Sequence, residues 1–168
     1  MTVRDATVAD MGDVRDLYNA LIPTTTVAWT EHLQTLDERL AWFEEHERRN
    51  RPVLVAEDQG RIVGFTAYGD FRGSGKWPGY RHTVEHTIHV ARDQWGRGTG
   101  RILMEELIQR AEHDGVHVMV AAIDGDNIES VAFHERLGFT IVARMPEVGN
   151  KFGRWLDLVL MQRILSVQ

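Results

Sequence analysis

Residues 87–101 read T-I-H-V-A-R-D-Q-W-G-R-G-T-G-R, and they join a strand pattern to a helical one. The alternating pattern ends near Val90, and apolar residues at helical spacing begin after Gly100. Glycines let backbone amides approach an anion closely, and a helix N-terminus adds unpaired N–H groups and partial positive charge. The segment therefore predicts a phosphate- or pyrophosphate-binding loop. The residues expected to face the phosphate are Gly96, Arg97, Gly98, Thr99, Gly100 and Arg101.

Other glycine motifs fit this loop less well. A dinucleotide-binding loop has G-x-G-x-x-G directly after a first strand, whereas this loop has G-x-G-x-G in the middle of the chain. A P-loop requires G-x-x-x-x-G-K-[ST], and residues 73–76 (G-S-G-K) lack the first glycine and the final hydroxyl. A loop that only turns the chain is the remaining alternative. The strand, the helix and two arginines in register favour phosphate binding.

Hydrophobic periodicity outside this segment predicts an α/β protein with a mixed sheet and helices on both faces. Capping boxes at Thr7/Asp10 and Thr35/Glu38 predict the starts of the first two helices. A third helix follows Gly100, and a fourth covers Asn127–Leu137. Two loops are expected at 22–31 and 70–82, the second of them mobile. The predicted strands are Val3–Ala6, Val53–Glu57, Ile62–Gly69, Thr83–Val90, His117–Ile123, Phe139–Arg144 and Trp155–Met161.

Three polar residues share the inward face of the fourth helix. Asn127, Ser130 and His134 fall in one narrow arc, flanked by apolar side chains. Buried polar groups need partners. The trio either hydrogen-bonds neighbouring loops or faces a ligand held by the glycine loop, and for Ser130 the two readings are evenly balanced.

Composition limits the classes of function. The 168-residue chain suits one domain covering 1–168, and its formal charge of −6 argues against nucleic-acid binding. No apolar run reaches membrane-spanning length and the N-terminus lacks a signal-peptide core, so a cytoplasmic location without membrane association is expected. The chain contains no cysteine, which excludes disulfides and any covalent intermediate on a cysteine.

Two motifs resemble those of the GCN5-related N-acetyltransferases. Residues 95–100 (W-G-R-G-T-G) resemble the acetyl-CoA motif [QR]-x-x-G-x-[GA], with Trp95 at the first position, and 127–139 resemble N-x-x-A-x-x-x-Y-x-x-x-G-F. The whole chain is similar to the phosphinothricin and methionine sulfoximine/methionine sulfone N-acetyltransferases, which also carry His at the position of His134. The matching segments are 4–6 (R-D-A), 42–43 (W-F), 68–70 (Y-G-D), 83–86 (T-V-E-H), 117–123 (H-V-M-V-A-A-I), 137–139 (L-G-F) and 145–158 (M-P-E-V-G-N-K-F-G-R-W-L-D-L). Phe71, where this subfamily has Trp, and a longer glycine-rich loop at 73–79 depart from it.

The resemblance implies a GNAT fold, splayed after strand four, with acetyl-CoA as co-substrate. It places the pyrophosphate on Gly96–Arg101 and the pantetheine arm beside Asn127. It also implies that His134 protonates the leaving thiolate. Further cofactor contacts are expected from Ile88, His89, Val90 and Ser130.

Glu85 is the expected catalytic base, because a cationic amine must lose a proton before it attacks an acyl group. Glu85 precedes the glycine loop within one strand and shares a strand face with His89. His86 points to the opposite face, so a metal site is not expected. Without cysteine, direct transfer within a ternary complex is expected.

The expected substrate is a small amino acid or analogue, of the methionine sulfoximine, methionine sulfone or phosphinothricin type. Arg72 and Arg81 bracket a loop just before Glu85, and guanidinium groups hold carboxylate or sulfone oxygens bidentately. Trp29, Phe71 and Trp77 are expected to wall the side chain, with Lys151 as a further charge. Alternatives are a polyamine or protein N-terminus as acceptor, or a non-catalytic acyl-CoA-binding module.

A homodimer is also expected. Residues 148–155 are glycine-rich yet carry Phe152 and Trp155, and exposed apolar patches often mark interfaces. The resemblance implies that this loop approaches the partner's active site. The alternative is that Trp155 packs in its own core.

Overall fold

The computed structural model describes residues 1–72 and 76–165. The strands are β1 (Thr2–Asp5), β2 (Val53–Asp58), β3 (Arg61–Asp70), β4 (Thr83–Val90), β5 (Val118–Asp124), β6 (Thr140–Lys151) and β7 (Arg154–Ile164). The α-helices are α1 (Met11–Leu21), α2 (Leu36–Arg48), α3 (Thr99–His113) and α4 (Ile128–Arg136). This order of elements confirms the order predicted from periodicity.

The described strands form one open, mixed sheet in the order β1-β2-β3-β4-β5-β7-β6. β4 and β5 are parallel, and their pairing joins Thr83–Glu85 to Val118–Val120. β5 and β7 are antiparallel over Val118–Asp124. The short β4–β5 pairing, which ends at Glu85 in an eight-residue strand, fits the expected splay after strand four.

The chain divides into two compact units, each assembled from separate segments. Unit 1 comprises Met1–Leu21, Leu33–Gly69 and His86–Arg110, and unit 2 comprises Ile22–His32, Asp70–Glu85 and Ala111–Gln168. The single domain expected over 1–168 stays a prediction.

The core of unit 1 forms because α1 and α2 bury apolar stripes with the strands. The buried residues of this core include Met11, Val14, Leu17, Leu21, Phe43, Val53, Val55, Ile62, Phe65 and Ala67. At the start of the first helical segment, the Asp10 carboxylate accepts from the Thr7 amide at 2.7 Å and from Arg4 Nη1 at 2.8 Å. Arg4 also reaches Glu57 on β2 at 2.9 Å, so one guanidinium ties the helix start to the sheet.

Unit 2 contains a β6–β7 hairpin that is longer than sequence analysis predicted. The strand was expected to stop at Arg144, with a loop at 148–155, but β6 continues to Lys151 and pairs Asn150 with Trp155. A register shift between Met145 and Gly149 absorbs Pro146, which cannot donate to a ladder. The turn is made by Phe152 (φ 53°) and Gly153 (φ 72°), the two left-handed residues that a tight hairpin turn requires.

Candidate functional site

The glycine loop of unit 1 has the backbone that an anion-binding loop needs. After β4 ends at Val90, Gly96 (φ 73°) and Gly98 (φ 88°) adopt left-handed conformations, and α3 begins at Thr99. The Ile102 amide bonds to the Gly98 carbonyl at 3.1 Å, so the amides of residues 99–101 precede the first intrahelical partners. A Cβ built at 96 or 98 meets no atom within 4 Å, which leaves the amides approachable. Gly100 lies inside the helix.

The side chains of this loop differ in what they offer an anion. Arg97 is exposed and forms no ion pair within residues 1–72 and 76–165, so its charge is available. The Arg101 guanidinium contacts Glu105 at 2.7 Å along the helix surface, which neutralises part of its charge. The buried Thr99 hydroxyl has no hydrogen-bond partner in the described chain. The expected contact of Thr99 with the cofactor stays a prediction.

His89 belongs to the interior of unit 1. Its ring centroid lies 5.1 Å from those of both Tyr18 and Phe65. Burial, reinforced by the charge of Arg39, lowers the pKa of His89 to about 4, so the ring is neutral at physiological pH. The Nε2 of His89 lies 3.0 Å from the Thr87 hydroxyl, so part of the ring's hydrogen-bonding capacity is already used. The expected contact of His89 with the cofactor stays a prediction. Ile88 and Val90 beside it are partly buried.

Glu85, in unit 2, keeps its carboxylate free of competing interactions. It lies opposite Val120 at the end of the β4–β5 pairing, and its carboxylate forms no hydrogen bond or ion pair with any residue of the described ranges. Although much of the residue is exposed, surrounding protein desolvates the carboxylate and raises its pKa. A carboxylate with a raised pKa and unoccupied oxygens is a stronger base than an ordinary surface glutamate.

The structure brings Asn127, Ser130 and His134 together as the helical arc predicts, but they bond within α4. Asn127 caps the helix by accepting from the Ser130 amide at 3.1 Å. The buried His134 ring donates from Nδ1 to the Ser130 carbonyl at 2.7 Å and meets the Phe133 and Phe139 rings edge-on.

His134 rests as a neutral imidazole. Burial lowers its pKa, and the bond to the Ser130 carbonyl opposes that shift more weakly. With its proton on Nδ1, the neutral ring presents a basic Nε2. In this tautomer the neutral ring accepts a proton at Nε2 before it can donate one there, and the expected role of His134 in protonating the leaving thiolate stays a prediction.

A cation–aromatic cluster precedes Glu85 in unit 2. The Phe71 and Tyr80 rings meet edge-on at 5.6 Å, and the Arg72 guanidinium carbon lies 5.6 Å from the Tyr80 centroid. Arg81 donates to the Pro78 carbonyl at 3.3 Å. Neither arginine forms an ion pair among the residues that the structure describes. Sequence reasoning missed Tyr80, although the triplet 78–80 (P-G-Y) signals an aromatic held in a turn. Residues 73–75 of this predicted loop lie outside the described ranges.

Lys151 does not serve the role expected from sequence. It is 1% exposed, and its ammonium donates to the carbonyls of Ile22, Thr25 and Ala28 at 2.9, 2.7 and 2.7 Å. All three of its donors are therefore used to hold the 22–28 segment, and none is left for a substrate anion.

Trp29 packs on a glycine of the hairpin. A Cβ placed on Gly149 would lie 2.2 Å from the Trp29 ring, so only glycine admits this contact. Trp29 is therefore partly buried. Its expected contact with substrate stays a prediction.

Within the described residues, no cluster of three or more His, Cys, Asp or Glu side chains is arranged to hold a metal ion. The helices of the same ranges are all too short or too polar to cross a membrane.

Comparison with known proteins identifies the family. Residues 14–139 match the model of the acetyltransferase (GNAT) family. The chain is 47% identical over 162 residues to the L-methionine sulfoximine/L-methionine sulfone acetyltransferase of Pseudomonas aeruginosa, covering 96% of this chain and 92% of that one. It is 36% identical to the phosphinothricin N-acetyltransferase of Streptomyces viridochromogenes, covering 96% of this chain and 86% of that one.

A solved structure supports the same assignment. A GNAT superfamily phosphinothricin acetyltransferase from Sinorhizobium meliloti, in complex with acetyl-CoA, superposes with a TM-score of 0.93 at 32% identity, covering 98% of this chain and 88% of that one. With its fold, its glycine loop and these relatives, the chain belongs to the acetyltransferase (GNAT) family.

Proposed function

We propose that the protein transfers the acetyl group of acetyl-CoA to the α-amine of a small amino acid analogue with a sulfoximine, sulfone or phosphinate group. The similarity of the chain to methionine sulfoximine/sulfone and phosphinothricin acetyltransferases supports this substrate class. The observation that carries the proposal is the Glu85 carboxylate, which is desolvated and unpartnered in the described chain.

Unit 1 supplies the groups that suit the phosphates of the acyl donor. An anion-binding surface is formed by the amides of residues 99–101, the left-handed Gly96 and Gly98, and Arg97, which has no ion-pair partner in the described part of the chain. The backbone of residues 88–90 is proposed to contact the pantetheine arm. For Asn127 of unit 2, the same role is proposed from the resemblance to the family motif. A bulky residue at 98 would both strain the backbone and occupy the space before these amides.

The proposed chemistry is direct transfer. Glu85 accepts one proton from the ammonium group, and the neutral amine attacks the thioester carbonyl. As the new C–N bond forms, the C–S bond breaks and the nitrogen loses a second proton, which ends on the departing sulfur. His134 is proposed to pass this proton, since its Nε2 is basic when the ring is neutral. No acetyl-cysteine forms, because the chain has no cysteine.

Arg72 and Arg81 are proposed to clamp the anionic end of the substrate, while Phe71 and Tyr80 wall its side chain. We expect Arg72→Ala and Arg81→Ala each to raise KM for methionine sulfone by about 10-fold, the cost of a lost charge-assisted hydrogen bond. KM for acetyl-CoA should stay nearly unchanged. Steady-state kinetics check this, with the exposed Arg144→Ala on β6 as the matched control. A faster reaction with polyamines, which carry no anion, would overturn the substrate class and leave acetyl transfer intact.

A homodimer and a cytoplasmic location are proposed as well. The β6–β7 hairpin exposes large apolar side chains, with Trp155 65% exposed, and a second copy of the chain would cover them. This exposure disfavours the alternative in which Trp155 packs in its own core. A monomeric mass at micromolar concentration in solution would remove the dimer.

A further inference from the structure

Trp95 is held at two points beside the glycine loop. Its indole Nε1 donates to the carbonyl of Val90, the last residue of β4, at 2.8 Å. Its backbone amide donates to the Arg92 carbonyl at 3.2 Å. The ring is thus fixed against the end of the strand, immediately before Gly96.

Although it is held in this way, Trp95 is 48% exposed. Its polar atom is already bonded, so the surface that it presents is apolar. The Arg92 guanidinium carbon lies 5.5 Å from the ring centroid, which places a cation beside that surface. A large ring fixed in solvent next to an anion-binding loop has the properties of a stacking platform.

The chemistry of coenzyme A indicates what would stack there. Its pyrophosphate is joined to an adenosine that carries a 3′-phosphate. A loop that binds the pyrophosphate therefore brings the adenine ring and the 3′-phosphate to its own edge. The edge of this loop presents an indole and a guanidinium, which match an aromatic base and a phosphate respectively.

We propose that Trp95 is the stacking platform for the adenine ring of the acyl donor and that Arg92 pairs with its 3′-phosphate. The proposal rests on acetyl-CoA binding at Gly96–Arg101. It gives a function to the residue at which 95–100 depart from the [QR]-x-x-G-x-[GA] pattern.

The competing explanation is that Trp95 has only a structural role, here called a strut, in which its hydrogen bond to the Val90 carbonyl shapes the loop. The two explanations differ for Trp95→Phe, which keeps an aromatic face and loses the N–H. A platform predicts CoA affinity close to that of the unsubstituted protein, whereas a strut predicts that Trp95→Phe is as weak as Trp95→Ala.

The test is calorimetric titration with CoA, 3′-dephospho-CoA and 4′-phosphopantetheine, which lacks the adenosine. Trp95→Ala should weaken CoA binding roughly 5- to 100-fold, the usual range for loss of one base–aromatic stack, and leave 4′-phosphopantetheine binding unchanged. Arg92→Ala should weaken CoA but not 3′-dephospho-CoA. Trp77→Ala, which removes another exposed indole, should not change CoA affinity.

Tryptophan fluorescence gives a second readout that does not depend on turnover. CoA should quench the emission and 4′-phosphopantetheine should not, and Trp95→Phe should abolish the difference. Equal weakening of all three ligands by Trp95→Ala, or quenching that persists in Trp95→Phe, would overturn the proposal. Failure of the unsubstituted protein to bind any of the three would instead refute donor binding at the glycine loop.

Discussion

At the scale of single residues, burial decides which polar groups are available for chemistry. Glu85 and His89 alternate onto one face of β4 in the sequence, and periodicity identified both. Sequence could not show that the Tyr18 and Phe65 rings pack against His89, because these rings are distant in the chain. Nor could it show that the Glu85 oxygens have no hydrogen-bond partner among the described residues. The same holds for His134, whose tautomer is set by the Ser130 carbonyl.

The raised pKa of Glu85 leads to a pH prediction. The carboxylate must be ionised to accept a proton, so kcat/KM of the unsubstituted enzyme should fall as pH drops through that raised value. Glu85→Gln should lower kcat by about 10²-fold at neutral pH and remove this acidic limb. Rate–pH profiles at fixed acetyl-CoA measure both effects. Full turnover by Glu85→Gln, with donor affinity unchanged, would show that another group is the base.

At the scale of elements, the helices were easier to predict than the last hairpin. Capping boxes and apolar spacing are local signals, and they located the starts of α1 and α2 closely. The β6–β7 hairpin was shortened in the prediction because Pro146 and Gly149 read as loop residues. In the structure, a bulge accommodates the proline, and the ring of Trp29 occupies the space beside the glycine.

Hydrogen bonds from Lys151 link the hairpin to residues 22–28, and their removal should destabilise unit 2. Lys151→Met would leave the carbonyls of Ile22, Thr25 and Ala28 without their ammonium donor, at a cost of about 2–4 kcal/mol in the free energy of unfolding. Urea denaturation measures this loss, and proteolysis within 22–28 should accelerate. Lys76→Met, at the other lysine of the chain, is the control and should unfold like the parent. If Lys151→Met only raises KM for the amino acid and keeps full stability, Lys151 serves the substrate after all.

At the scale of the whole molecule, sequence predicted the order of elements and the open mixed sheet. The division into two units was not predictable from sequence, since each unit is built from three separate segments of the chain. Unit 1 contains a long-range ion-pair network in which Arg4 joins Asp10 to Glu57.

That network predicts how stability depends on acid. Hydrogen bonding to Arg4 lowers the pKa of Asp10 from 3.8 to about 2, so its contribution is complete above pH 3.8 and is lost as pH falls towards 2. Asp10→Asn should lower the free energy of unfolding by about 1–2 kcal/mol at pH 7. This range allows for solvent screening of the partly exposed Arg4. The loss should become smaller below pH 3.8. Asp13→Asn, at an exposed acid in the first turn of α1, is the control. If the loss of unfolding free energy in Asp10→Asn does not change with pH, the loss arises from packing and not from the ion pair.

The most direct test of the central claim is mass spectrometry of the products formed from methionine sulfone and acetyl-CoA, with free thiol followed in parallel. We predict one N-acetylated product per CoA released, for the unsubstituted protein and not for Glu85→Gln. Release of CoA without an acetylated amino acid, or acetylation of polyamines in preference to methionine sulfone, would contradict the account.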